Sequence, residues 1–267
     1  MNSQKIHLRE KTDSAPENRT HNRSAISILI DIFATRRCPG CGEPVDVFGK
    51  SDICETCLPG FKDISDKMFY VADIEYLKAV YSFTGPVRHG LHRFKYRGDG
   101  GAGAFFACRI AEMIKKEKFF NENCVIVPIP GNIEKTDREY VQAEYLAKRI
   151  AKKLKAQYAG DAMRKKKSVK SQTECGTLRE RKENVANAFI LNKDASKKLE
   201  GKTVIIIDDI STSGSTVSSA ARTLKKAGAA KIYAACAART PTRKETGKKY
   251  IVKCPPEMRT VYVIKRK

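Results

Sequence analysis

Short apolar runs alternate along this chain with longer stretches in which apolar residues recur every three or four positions. Val125-Ile126-Val127-Pro128-Ile129-Pro130 is uniformly apolar and closes on prolines, which predicts a buried strand that stops there. Ala79 to Phe83, Val204 to Ile207 and Lys231 to Ala238 read the same way, and Val185 to Leu191 is strand-like. Helical spacing runs from Phe105 to Lys118 through Phe106, Ile110, Met113 and Ile114. It runs again over Val141 to Leu154 through Tyr145, Leu146, Ile150 and Leu154, and from Val217 to Lys226, ending near Gly228. Strands alternating with helices predict an α/β fold, a parallel sheet flanked by helices, with its site beyond the carboxyl ends of the strands. Val87 to Tyr96 mixes basic and apolar residues, and Gly98, Gly100, Gly101 and Gly103 read as a loose turn. Met1 to Arg23 is polar and unpatterned and is expected to be disordered, with one short amphipathic helix over Ile26 to Phe33. No internal repeat is visible.

At 267 residues and 41% hydrophobic content, the chain can bury a core in one medium domain with appendages or in two domains. The longest apolar stretch, Ala25 to Ala34, contains Asp31 and is too short to span a bilayer. It also lacks a small-residue cleavage site, so no membrane insertion and a cytoplasmic location are expected. Lys and Arg number 52 against 30 Asp and Glu, a net charge of +22 that favours phosphorylated or polyanionic partners. The absence of Trp gives little sign of a base-stacking platform.

The richest chemistry follows Val204-Ile205-Ile206-Ile207. Asp208 and Asp209 come next, then Ile210, Ser211 and the small hydroxylated turn Thr212-Ser213-Gly214-Ser215-Thr216, then a helix. Helix-start N–H groups are unpaired and sit at the positive end of the dipole, so they suit a phosphate. Gly214 allows close backbone approach or positive φ. The carboxylates can accept from sugar hydroxyls or help hold Mg2+. A phosphate cradle beside a diol acceptor describes a ribose-5-phosphate site. It is neither a Walker A loop nor a Rossmann fingerprint, because the acids precede the glycine. The arrangement resembles the phosphoribosyl diphosphate (PRPP) motif of type I phosphoribosyltransferases. A buried strand with a well-capped helix would explain one hydroxyl residue, but not two carboxylates and five consecutive small positions.

Of nine cysteines, Cys38, Cys41, Cys54 and Cys57 form two C-x-x-C pairs twelve residues apart. Each turn presents two thiolates to one tetrahedral ion, so structural zinc is the expected occupant, with a redox pair or an iron–sulfur cluster as alternatives. Four thiolates would leave zinc no open position for catalysis. Cys108, Cys124, Cys175, Cys236 and Cys254 are scattered and read as small buried residues or free thiols.

With both pieces in view, the chain resembles the ComF family of competence-associated, phosphoribosyltransferase-like proteins from about Arg37 to Arg239. The resemblance lies in the order of motifs. They are the two C-x-x-C pairs, Phe83 with Arg88 and Lys95-Tyr96, Val127 to Pro130, Arg138 to Gln142, Gln172, Arg181 with Asn184, and Ile207 to Thr216. Where the family usually has Arg-Gly-Phe-Asn-Gln, this chain has Arg138-Glu139-Tyr140-Val141-Gln142, so contacts from that glycine and asparagine are not carried over. The resemblance implies a tail with a short helix over 1–37, a zinc-ribbon-like module over 38–66, a type I phosphoribosyltransferase-like domain over 79–239 and a basic extension over 240–267. It implies that Thr212, Ser213, Gly214, Ser215 and Thr216 hold the 5′-phosphate and that Asp208 and Asp209 hold the ribose diol, with Mg2+ accompanying PRPP. Pyrophosphate or lid contacts are expected from Pro128, Ile129, Arg138, Lys166, Lys167 and Gln172, the basic stretch Arg164 to Lys170 acting as a mobile loop. Ile210-Ser211-Thr212 carries no carboxylate to face a purine, so purine salvage is not expected. Three roles follow: a PRPP-binding transferase serving DNA uptake, a single-stranded DNA-binding factor without chemistry, or a zinc-stabilised adaptor for other competence proteins.

Overall fold

The computed structural model describes residues 36–46, 49–131, 141–166 and 188–241. Its centre is β6, Thr203–Ser211, whose β-branched run fits a pleated surface buried on both sides. β7 (Lys231–Arg239) pairs with one edge of β6, and β2 (Cys124–Pro128) with the other. β1 (Leu77–Ser82) lies outside β7, and β3 (Gln157–Tyr158) outside β2. All four pairings are parallel.

The strand period of two sorts the core. Ile205 and Ile207 point into one apolar cluster with Val87, Leu91, Phe94, Phe106, Leu146 and Ile150. These come from α1 (Gly85–Arg97), α2 (Gly100–Lys115) and α3 (Gln142–Leu154). Val204 and Ile206 point into the opposite cluster with Leu199, Val217, Ala220 and Leu224, from α4 (Ala195–Leu199) and α5 (Ser215–Lys225). Helices therefore cover both faces of the sheet.

One unassigned stretch is resolved and two expectations are corrected. Val87 to Tyr96 is helical throughout, because Val87, Leu91 and Phe94 form an apolar stripe behind the basic residues. Only Gly98 belongs to the expected glycine turn, ending α1 with φ 66°. Gly100, Gly101 and Gly103 are inside α2, whose N-cap Asp99 accepts from the Ala102 N–H at 3.0 Å. Glycine suits position 103 because a Cβ there would meet the Phe94 ring and lie 2.8 Å from Tyr145. Third, Phe189–Leu191 (β5) does not join the main sheet. It pairs antiparallel with β4, Met163–Lys165. Arg164 and Lys165, expected in a mobile loop, are thus held in a ladder opposite Ile190 and Phe189.

The cysteine segment packs on α1. Cys38, Cys57 and Phe61 join the same cluster as Leu91 and Phe94. The Gly40 carbonyl accepts from His89 Nδ1 at 2.8 Å and from Arg93 Nη1 at 3.0 Å. Arg93 is itself buried and pairs with Asp99. Gly90 is required by this contact, since a Cβ there would strike the Pro39 carbonyl. From Phe61 the chain runs along the free edge of β1. Ile64 N–H bonds to Val80 O at 2.8 Å, and Phe69 exchanges backbone bonds with Leu77 at 2.8 and 2.9 Å. That edge of the sheet is therefore covered.

Candidate functional site

Parallel sheets bind ligands where neighbouring strands send their connections in opposite directions. Here that point lies between β2 and β6. β2 continues through α3 outward to β3, whereas β6 continues through α5 to β7 on its other side. β2 stops first, at Pro128 opposite Ile207, and Ile129 N–H makes a last bond to Ile207 O at 2.9 Å. Asp208 to Ser211 run on beside β7 alone. The acidic pair thus stands at the rim left by the end of β2.

Period two places Asp209 on the face of Ile205 and Ile207, which is the face covered by α1. Lys95, near the end of α1, brings Nζ to 3.9 Å from Asp209 Oδ2. Gln142 holds that end of α1, its amide Nε2 donating to the Lys95 carbonyl at 3.3 Å. Asp208 is half-buried. Desolvation, and then the Asp209 carboxylate, push its carboxyl well above the usual range, with Lys95 opposing. The backbone also serves the pair, with Asp209 N–H on Asp208 Oδ1 at 2.9 Å and Ile210 N–H on Asp209 Oδ1 at 2.8 Å.

Beyond the pair, the chain turns at Thr212 and Ser213 into α5. The N-cap is Gly214, at φ 77°, and no side chain caps the helix. Ser213 Oγ is 3.1 Å from Ser215 Oγ and 3.4 Å from Ser215 N, a long contact. The first intrahelical bond is Ser218 N–H to Gly214 O at 2.9 Å. Thr212, Ser213, Ser215 and Thr216 are exposed. The hydroxyl residues at the helix start therefore face outward, and no side chain occupies the start as an N-cap.

Sequence reasoning did not find the clamp behind this loop. Val71 is buried against Gly214, where a Cβ would come within 2.7 Å of Val71 Cγ2. Asp73, at φ 70°, accepts from Ser218 Oγ and Arg222 Nη1, both at 2.7 Å. These hydrogen bonds, led by that from Ser218, hold its carboxyl below the usual range. A non-glycine residue at positive φ is the only local sign, and it is invisible in sequence.

Of the other expected contacts, Pro128 and Ile129 are buried, so their backbone and not their side chains borders the rim. Lys166 follows β4 and bonds through N–H to Ala188 O at 2.9 Å. Arg138, Lys167 and Gln172 lie outside the described residues, as do Ile26 to Phe33, Arg181, Asn184 and nearly all of 240–267.

The four thiols converge. The Sγ atoms of Cys38, Cys41, Cys54 and Cys57 all lie within 4.8 Å of one another, and those of Cys41 and Cys54 are 3.7 Å apart. A tetrahedron with Zn–S near 2.3 Å has sulfurs about 3.8 Å apart, so the donor set fits one such ion. Although burial opposes it, N–H groups of Cys54, Cys41 and Gly40 bring the Cys38 thiol to about 7. Burial and then the Cys38 charge push Cys57 up.

Residues 106–264, more than half of the chain, match the phosphoribosyl transferase domain, and the chain belongs to that family. Its relatives include competence and DNA utilization proteins. It is 28% identical to the competence protein ComFC of Bacillus subtilis over 72% of this chain and 73% of that one. It is 31% identical to the DNA utilization protein YhgH of Escherichia coli, over 39% of this chain and 43% of that one. The Salmonella typhi YhgH is 24% identical over 76% and 84% of the two chains. Among solved structures, an adenine phosphoribosyltransferase from Thermoanaerobacter pseudethanolicus is 17% identical, with a TM-score of 0.35 over 54% of this chain and 83% of that one. So loose a superposition adds nothing to the family match. Among the described residues no helix is long and apolar enough to cross a membrane.

Proposed function

We propose that the chain binds PRPP, or another ribose-5-phosphate group, in the cradle Asp208-Asp209 to Thr216, and that this serves DNA uptake or utilisation. The observation that carries the reading is the outward-facing helix start. Gly214 caps α5 without a side chain, four exposed hydroxyl residues surround it, and two carboxylates precede it at the strand switch point. Ser213, Gly214, Ser215 and Thr216 would offer donors to the 5′-phosphate, with Thr212 beside them. Asp208 and Asp209 would accept from the ribose hydroxyls and support Mg2+ on the pyrophosphate. Displacement of pyrophosphate builds positive charge on the sugar, so an enzyme here would work by positioning and electrostatics. Lys166, Lys167, Arg138 and Gln172 remain the proposed contacts to the leaving group. Zinc is the proposed occupant of the four thiolates, with a folding role.

DNA as the setting is supported by the names of the relatives, a competence protein and DNA utilization proteins. The +22 charge favours a second reading, in which the same cradle grips a phosphorylated single strand without chemistry. Calorimetric titration of the full chain with PRPP, with and without Mg2+, tests the first reading. Displacement of a labelled oligonucleotide by PRPP at constant ionic strength tests the second. Mg2+-strengthened PRPP binding is expected. No PRPP binding overturns the sugar-phosphate reading, and PRPP binding without displacement assigns DNA to another surface.

A further inference from the structure

The edge segment 66–71 ends against the phosphate loop, and its side chains alternate. Phe69 and Val71 turn inward, Val71 onto Gly214, while the Arg239 guanidinium lies 4.1 Å over the Phe69 ring. Met68 and Tyr70 turn out, at 66% and 91% exposure, the largest such values among the exposed apolar and aromatic residues described. The segment is not free to move them inward. Phe69 is tied to Leu77 through both backbone bonds, and Asp73 is tied to Ser218 and Arg222. A tyrosine is therefore held open to water one residue from the side chain that touches the loop.

We infer that Tyr70, with Met68 beside it, is a stacking ledge for a base of a single-stranded polynucleotide whose phosphate occupies the Ser213–Thr216 loop. The inference rests on the reading of that loop as a phosphate cradle. Singly exposed apolar residues are ordinary. Here two lie on the same side of a pinned segment whose next residue, Val71, packs on Gly214 at a hydroxyl-lined helix start, in a chain of net charge +22. An aromatic face beside backbone-phosphate donors is how sequence-tolerant single-strand binding works, since every base offers a π-face. The charge favours a polyanion over a protein partner. PRPP carries no base, so the ledge has no part in its binding.

That difference separates the two readings. With a labelled 5′-phosphorylated oligothymidylate and the full chain, Tyr70→Ala is expected to weaken binding about 5- to 150-fold. The same substitution should leave PRPP affinity unchanged, along with affinity for an abasic strand of equal length. Tyr70→Phe should bind as the wild type does. Because the chain has no Trp, Tyr70→Trp installs a single reporter whose emission should be quenched at saturating oligothymidylate. Unaltered binding by Tyr70→Ala, or an unquenched reporter at saturation, overturns the ledge, as does a wild type that binds no oligothymidylate. Absent PRPP binding in the wild type, with the Tyr70→Ala effect intact, overturns the sugar-phosphate reading and leaves the ledge standing.

Discussion

Lys95 Nζ stands 3.9 Å from Asp209 Oδ2, linking the end of α1 to the end of β6 across 114 residues of sequence. The pair is partly exposed, so its direct contribution to stability is under about 1 kcal/mol. Its larger effect is on the acidic rim, where it supplies positive charge in the absence of a ligand.

Lys95→Ala should therefore leave the fold intact and alter ligand binding. Without that cation, PRPP affinity is expected to fall about tenfold at low Mg2+, with partial recovery as Mg2+ rises. Titration at two Mg2+ concentrations reads this. Equal loss at both would mean Lys95 contacts the ligand and does not balance the acids.

Asp208 gives a pH prediction. Its folded pKa is raised, so the folded state holds the proton more tightly than the unfolded chain. Stability contributed by the protonated form is present below the unfolded value, near 4, and is lost as pH rises through the folded value. Asp208→Asn removes that loss. The variant should melt higher than the wild type near pH 7, with the gain shrinking toward pH 4, while Mg2+-dependent PRPP binding disappears. Thermal melts across pH 4 to 8 check the first part, and a lower melting point at pH 7 would contradict it.

Gly214 carries two constraints, positive φ and the Val71 contact. Gly214→Ala should cost about 2 kcal/mol, combining left-handed strain with overpacking, and should weaken phosphate binding. Adding Val71→Ala relieves the overpacking alone. Melting should recover in part in the double variant while phosphate affinity stays low. Full recovery of affinity would show that the loop tolerates a Cβ.

For the cysteines, one zinc per chain is expected by elemental analysis. Cys41→Ser or Cys54→Ser should release it and lower the melting point, because the segment has little apolar core of its own. Iron with sulfide, or no metal under reducing conditions, would reject zinc.

The central strand, its acids and the following helix were legible because all their information is local. Four β-branched residues make the strand, and Gly214 marks the turn. α1 was hidden by its own surface. Arg88, His92, Lys95 and Tyr96 dilute the stripe of Val87, Leu91 and Phe94, although Pro86 at its start and Gly98 at its end were usable signals. The α2 glycines misled because Gly103 answers to Phe94 and Tyr145, which sequence does not bring together. The Val71 and Asp73 clamp was beyond reach for the same reason, since Asp73 and Ser218 are 145 residues apart.

The two C-x-x-C turns sit at the junction of both arms that reach the rim. One arm leaves Gly40 through His89 and Arg93 onto α1 and ends at Lys95. The other leaves Cys57 through Phe61 and Ile64 and ends at Val71 on Gly214. An ion that fixes the junction fixes both jaws, and free-energy coupling between two sites is reciprocal. Occupancy of the jaws should then tighten the hold on the ion. Zinc affinity, read at equilibrium by competition with a colorimetric chelator with and without saturating PRPP, measures that coupling, and identical affinities would show the jaws and the junction to be independent.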